Sequence, residues 1–263
     1  MRGDEFSLDG RVAIVTGSGT GIGRATARVL AEYGADIVLA GRRAELLEHS
    51  AAAIRELGRQ ALVVPTDVTD EAACAALVGA TVDRFDHLDI LVNNAGGSIN
   101  KPPEAWTASE WHQIVDQNLS GAWFMSHLAG PRMVEQGRGS IVNISSIYGL
   151  LSPQQDVYAF RRRGGESFTK PVAYSVSKSA ILNLTRYLAT YWAKSGVRVN
   201  TLTLAGVFDD QPEEFLEAYT ERVPLGRMAD AREALGAVVF LASDASSYMT
   251  GANLVVDGGW SAW

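Results

Sequence analysis

The chain has 263 residues, of which 47% are hydrophobic and 20% charged, the profile of an ordinary globular protein rather than a disordered or fibrous one. Its 23 basic and 30 acidic residues leave a net charge of −7, which argues against the basic footprint that counterion release on nucleic acid requires. A single cysteine, Cys74, excludes an intrachain disulfide and a cysteine-cluster metal site and is most simply a small buried apolar residue; four scattered histidines without ligand spacing give no metal site either.

Met1-Arg2-Gly3-Asp4-Glu5 places acids where a signal peptide needs a basic segment followed by an apolar core. No stretch is long and apolar enough to span a bilayer, so a cytoplasmic setting with no membrane partner is expected. β-rich runs follow at 12–16, 37–40, 61–64, 90–93, 140–145, 197–204 and 253–257. The first four are dense in Val, Ile and Leu instead of alternating with polar residues, the pattern of strands buried on both faces of a parallel sheet. Segments 22–33, 44–57 and 70–85 between them are rich in Ala, Leu, Glu and Arg, with Gly34 and Gly58 where helix-ending glycines belong. This alternation predicts an α/β fold: a single doubly wound domain over 1–263, its parallel sheet of about seven strands flanked by helices. Segment 147–172 breaks the rhythm with Pro153, Gly164, Gly165, Pro171 and the run Arg161-Arg162-Arg163. It reads as a long loop inserted in the domain, and such loops in compact domains are usually functional or disordered.

The glycine-rich turn Gly17-Ser18-Gly19-Thr20-Gly21-Ile22-Gly23 follows the first strand and opens the first helix. Glycines there let the backbone turn tightly and approach a pyrophosphate, and the helix N-terminus offers that anion free N–H groups. The placement points to dinucleotide binding. An NAD site calls for an acid at the end of the second strand, but Ala40-Gly41-Arg42-Arg43 stands there and Asp36 lies at the opposite end. Guanidinium groups suit a 2′-phosphate, so NADP(H) is favoured and NAD(H) is the alternative. Further along, Tyr174 and Lys178 are spaced to share one helical face, an arrangement in which an ammonium can favour a phenolate and supply an acid–base group.

With Asn93-Asn94-Ala95-Gly96, Asn143-Ile144-Ser145-Ser146 and the closing Thr250-Gly251 and Val256-Asp257-Gly258-Gly259, these motifs fall in the order found in classical short-chain dehydrogenases/reductases. The chain resembles that family over nearly its whole length, which implies a Rossmann-type domain and an NAD(P)-dependent enzyme acting on CH–OH groups, of the kind usually assembled as homodimers or homotetramers. By the resemblance, Tyr174 is the acid in carbonyl reduction and the base in alcohol oxidation. Lys178 holds the nicotinamide ribose and lowers the tyrosine pKa, Ser146 bonds the reacting oxygen with Ser145 as the alternative serine, and Asn118 supports a water relay. Asp67 and Val68 contact the adenine; Asn94, Ala95 and Gly96 line the cleft; Val207 offers its backbone to the nicotinamide.

The chain departs from the family's pattern in two places. Leu204-Ala205 replaces a usual Pro-Gly, with Asp209 where a threonine is common, and Ser146 and Tyr174 are separated by more residues than usual. The inserted segment, with Tyr158 and Arg161, is expected to wall the substrate opposite a loop at 207–226 carrying Phe208 and Gln211. Such side chains suit a sugar or polyol, and an inward arginine would bind an acidic group; the alternatives are that the arginines solvate a loop or meet another subunit. The segment 209–215, Asp-Asp-Gln-Pro-Glu-Glu-Phe, resembles bacterial members of carbohydrate metabolism. The resulting expectation is hydride transfer between NADP(H) and a secondary alcohol or ketone on a sugar, sugar-acid or polyol-like substrate. A 3-oxoacyl thioester reductase and a non-catalytic NADP-binding sensor are the alternatives. Trp106, Trp111 and Trp123 read as core or interface residues, and Trp260 and Trp263 as contacts to another subunit.

Overall fold

A computed structural model describes residues 4–263; Met1, Arg2 and Gly3, part of the acidic start, lie outside the described residues. Strands β1 (Val12–Thr16), β2 (Asp36–Gly41), β3 (Ala61–Pro65), β4 (Ile90–Asn93), β5 (Gly139–Ser146), β6 (Val197–Leu204) and β7 (Asn253–Val256) form one 7-stranded sheet in the order β3-β2-β1-β4-β5-β6-β7. Every pairing is parallel, as the continuous apolar runs require. The strand order reverses between β1 and β4, so a crevice opens beyond their C-terminal ends, where ligands bind in open α/β sheets.

Among the described residues ten α-helices complete the domain: α1 (Gly21–Glu32), α2 (Ala44–Glu56), α3 (Glu71–Phe85), α4 (Ala108–Val115), α5 (Gly121–Gln136), α6 (Ile147–Leu150), α7 (Ala159–Arg163), α8 (Val172–Trp192), α9 (Glu213–Thr220) and α10 (Ala231–Ala242). Alternate residues of each strand serve opposite layers. Ala13 and Val15 pack with α1 and α10 residues such as Leu30 and Val238, whereas Val12 and Ile14 pack with α3, α5 and α8 residues such as Leu77, Met125 and Leu188. Cys74 is fully buried in the second layer, and its thiol is pushed up to about 11 by burial, with Asp70 adding to the effect. Asp70 caps α3 by accepting from the Ala72 and Ala73 N–H groups, and Thr107 with Glu110 and Asp230 with Glu233 close capping boxes at α4 and α10.

Two expectations about the chain's path are corrected. Asp257 is not strand: β7 stops at Val256 because the Asp257 carboxylate folds back onto the Gly259 and Ser261 N–H groups. Segment 147–172 is not an unstructured loop. It contains α6, a short 3₁₀ turn Gln155–Tyr158 and α7, and it has a core of its own. Tyr148, Val157, Tyr158 and Phe168 pack there against Phe215, Tyr219, Val223 and Trp260 from beyond β6. That third cluster is legible only in three dimensions, because its two halves are far apart in the chain.

Candidate active site

The C-terminal ends of β1, β2 and β4 border a cavity of about 360 Å³. Its floor is tied by Thr16, whose hydroxyl accepts from the Asn94 and Ala95 N–H groups, both at 3.0 Å, and donates to the Val92 carbonyl at 3.3 Å. The Asn94 amide donates in turn to the Thr16 carbonyl at 2.9 Å. Gly17 turns the chain with φ +68°, and a Cβ on it would lie 2.9 Å from the Asn94 amide nitrogen. A Cβ on Gly23 would collide with both the Gly17 carbonyl and that amide. Side-chain-free backbone is therefore imposed by packing. The N-cap residue of α1, Thr20, makes no side-chain cap bond, which leaves first-turn N–H groups facing the cavity.

At the far end stand Arg42 and Arg43, both exposed, just after β2. Asp36 is held away at the start of the strand by the Gln60 N–H, at 2.8 Å. The one carboxylate bordering the cavity is Asp67, which accepts from the Thr69 N–H and hydroxyl. Gly17, Thr20 to Gly23, Arg42, Arg43, Asp67, Val68 and Asn94 to Gly96 all border this space. Ser18 does not: it is fully buried, and its hydroxyl donates to the Ala40 carbonyl at 3.3 Å. Leu46, Thr66 and Gln117, which the motifs did not indicate, border it as well.

A second cavity, about 270 Å³, shares Ile22, Asn94 and Gly96 with the first, so the two are one continuous groove. Ser146 at the end of β5 and Tyr174 and Lys178 at the start of α8 line it. The competing serine, Ser145, lines it too, but its hydroxyl is already engaged, donating to the Lys178 carbonyl at 2.8 Å and pinning α8 to β5. Ser146 caps α6 and stands against the Tyr174 phenol. The phenol's pKa is raised, by burial first, with Ser146 pulling the other way. The expectation that Lys178 lowers it is not what this structure shows. The ammonium donates to the Ile144 carbonyl at 2.8 Å and lies 5.9 Å from the tyrosine ring centre. Burial brings Lys178 itself down to about 8. Asn118 lies behind them in a stretch of π-helical winding, Asp116–Ser120, that joins α4 to α5. It accepts from the Gly97 N–H at 2.8 Å and donates to the Gly97 carbonyl and the Ser177 hydroxyl, both at 3.0 Å. π-helical turns of this kind recur at functional sites.

The remaining candidates are placed elsewhere. The Tyr158 hydroxyl shares a hydrogen bond with Tyr148 at 3.1 Å inside the third cluster. Arg161 pairs with Glu166 at 3.1 Å and covers the Phe168 ring, and Arg162 pairs with Asp156, so both arginines serve their own segment. Gln211 closes its own loop, accepting from the Asp209 N–H and donating to the Val207 carbonyl at 2.9 Å. Val207 bridges to Ala229, and Phe208 is half-exposed. Trp260 is buried against Tyr219, with ring centres 4.6 Å apart, so it serves this chain's own core instead of another subunit, whereas Trp263 is exposed. Besides Lys178, a second cation lines the cavity, Lys170, which the loop reading passed over. Its signal was present, since Lys170, Tyr174 and Lys178 follow one another at intervals of four.

The model of the short chain dehydrogenase family matches residues 11–172, and that described as enoyl-(acyl carrier protein) reductase matches 160–261. The chain belongs to the short-chain dehydrogenase family. It is 39% identical to the cis-4-hydroxycyclohexanecarboxylate dehydrogenase of Sinomonas cyclohexanicum, over 96% of this chain and 97% of that one. It is 36% identical to the gluconate 5-dehydrogenase of Gluconobacter oxydans strain 621H, over 97% and 96%. The solved structure of a gluconate 5-dehydrogenase from Burkholderia cenocepacia J2315, in complex with NADP and tartrate, superimposes with a TM-score of 0.88 at 33% identity, covering 99% of this chain and 98% of that one. This short-chain dehydrogenase is thus an oxidoreductase acting on alcohol groups, built on a single α/β domain with a fully parallel sheet.

Proposed function

We propose that this short-chain dehydrogenase moves a hydride between NADP(H) and a secondary alcohol or ketone, on a sugar, sugar-acid or polyol-like substrate. The observation that carries the reading is the continuous groove: the glycine cradle and the Ser146–Tyr174–Lys178 cluster meet across Ile22, Asn94 and Gly96. The cradle fits a dinucleotide diphosphate because side-chain-free backbone at Gly17, Gly19, Gly21 and Gly23 borders it, and uncapped N–H groups of α1 face it. Arg42 and Arg43, with no acid at the end of β2, fit a 2′-phosphate. The relative crystallised with NADP supports the same choice.

NADP(H), when bound, supplies or accepts the hydride. Tyr174 then gives a proton to the carbonyl oxygen in reduction, or takes it from the hydroxyl in oxidation, and the Ser146 hydroxyl bonds that oxygen and fixes its position. Burial holds the free phenol protonated, so the acid role needs no further adjustment, whereas the base role requires a positive charge nearer the phenol than the Lys178 ammonium stands here, where it donates to the Ile144 carbonyl. Asn118 holds the Gly97 backbone and the entrance of the relay behind Lys178. Segments 147–172 and 207–226 wall the substrate through their shared cluster. Exposed Tyr187 and Tyr191 on α8 and Trp123 on α5 support assembly as a homodimer or homotetramer, and the lone buried thiol of Cys74 supports a cytoplasmic setting.

The test is a substrate panel read by nicotinamide absorbance: D-gluconate, D-glucitol, galactitol and cis-4-hydroxycyclohexanecarboxylate with NADP⁺, against acetoacetyl thioester with NADPH. Turnover of sugar acids or polyols supports the reading. Turnover of the thioester alone would replace it with a 3-oxoacyl reductase.

A further inference from the structure

Lys170 is the one residue of the substrate cavity whose charge the hydride chemistry leaves unused. It sits just before Pro171, the N-cap residue of α8, and its backbone is clamped by Gln155: the Lys170 N–H donates to Oε1 at 2.9 Å and the carbonyl accepts from Nε2 at 3.3 Å. Its ammonium lies over the faces of Tyr158 and Tyr148, 5.3 and 5.8 Å from the ring centres. Those rings belong to the buried third cluster, so they form a fixed platform under the charge.

Every arginine of this segment found in an ion pair has a local acid, but Lys170 forms no ion pair among the described residues. Burial does most to disfavour its protonated form, and Arg161, of the same sign, adds to that cost. Among the described residues no aspartate or glutamate lines the cavity, although the chain as a whole carries a net charge of −7. A half-buried cation without a counter-charge is retained at a cost unless a ligand completes it. The same cavity wall carries Ser146 and Tyr174, so a molecule whose hydroxyl meets those two presents its other groups toward Lys170.

We infer that Lys170 is a specificity-determining residue that binds the carboxylate of the substrate, making this enzyme a dehydrogenase of hydroxylated carboxylic acids in preference to neutral polyols. This rests on the alcohol–ketone reading above and narrows it from three substrate classes to one. Lys170 takes no part in the proton or hydride transfer; it fixes which end of the molecule faces away from Tyr174. A charge-assisted hydrogen bond from a half-buried ammonium discriminates an acid from its neutral amide by about tenfold or more.

The test compares kcat/KM with NADP⁺ for two matched pairs, D-gluconate against D-gluconamide and cis-4-hydroxycyclohexanecarboxylate against its carboxamide. The proteins are the wild type, Lys170→Met, Lys170→Arg and Arg161→Gln, each first checked for an unchanged melting temperature. The expected result is a wild-type preference for the acid of a pair of about tenfold or more, carried by KM. Lys170→Met brings that preference close to one, Lys170→Arg restores part of it, and Arg161→Gln keeps it. Equal preference in the wild type and Lys170→Met, or a loss of preference that follows Arg161→Gln instead, overturns the role of Lys170 while leaving the alcohol–ketone reading standing. Lack of turnover of all four compounds by a protein that still binds NADPH removes the substrate class itself, and this inference with it.

Discussion

The two halves of the groove are built by different means. The cofactor-side half is made of backbone: Gly17 and Gly23 admit no side chain, Thr16 and Asn94 tie two strand ends together, and α1 presents bare N–H groups. The substrate-side half is lined by side chains such as Ser146, Lys170, Tyr174, Lys178 and Leu204. Beside it Tyr174 and Ala205 pack on the third cluster, whose rings come from two distant segments, Tyr148, Tyr158 and Phe168 on one and Phe215 and Tyr219 on the other. A backbone cradle recognises what every dinucleotide shares, and it can be written as a short local pattern. A side-chain wall recognises what is particular to one substrate, and it exists only after the chain has folded.

The sharpest way to break this contrast is at Gly23. Gly23→Ala forces a Cβ against the Gly17 carbonyl and the Asn94 amide, so NADPH binding measured by fluorescence titration is expected to be lost, with the fold retained by circular dichroism. Retained affinity would show that the cradle is not close-packed. Trp260→Ala removes a buried ring that packs on Tyr219 and is expected to lower stability by about 3–5 kcal/mol in denaturant melts. Because Tyr219 accepts from the Gly206 N–H at 2.6 Å, KM for substrate should rise more than the Kd for NADPH. A variant that loses cofactor affinity first would put the wall and the cradle in one unit.

Arg42→Ala tests the far end of the cradle. Loss of charge-assisted bonds should weaken NADPH by about 1.5–3 kcal/mol and leave NADH nearly unchanged, as isothermal titration would show. Equal weakening of both cofactors would move Arg42 off the 2′-phosphate. The smallest effect is expected from Tyr158→Phe, which deletes one partner of the Tyr148–Tyr158 hydroxyl pair and should cost about 1 kcal/mol in melts, with a modest change in KM. A large rise in KM without a change in stability would place that hydroxyl on the substrate instead of in the wall.

The same contrast explains what the sequence made legible. Strands β1, β2 and β4 were readable because residues such as Ile14, Leu39 and Val92 lie in a sheet covered on both faces, which leaves no room for polar alternation. The glycine turn and the Tyr174–Lys178 spacing were readable because each is local, held within one turn or one helix. Asp257 was misread because its capping of a turn depends on how the chain continues past β7. Segment 147–172 was misread because its prolines and glycines signal a loop, while its order comes from Phe215, Tyr219 and Trp260, far along the chain. Arg161 drew notice as a free charge in sequence, yet Glu166 answers it; Lys170 drew none, yet no acid answers it. Which cation is unpaired is a property of the folded neighbourhood, not of the run of basic residues.

The central claim is that Tyr174 performs the proton transfer at the meeting point of cradle and wall. The most direct measurement is steady-state turnover of Tyr174→Phe beside its NADPH affinity, since the change removes one hydroxyl and leaves the ring. Turnover is expected to fall by about 10²–10⁴-fold or more, the range of general acid–base contributions, with Kd for NADPH within about twofold of wild type. Turnover near the wild-type rate would contradict it and move the proton transfer to another residue of the groove.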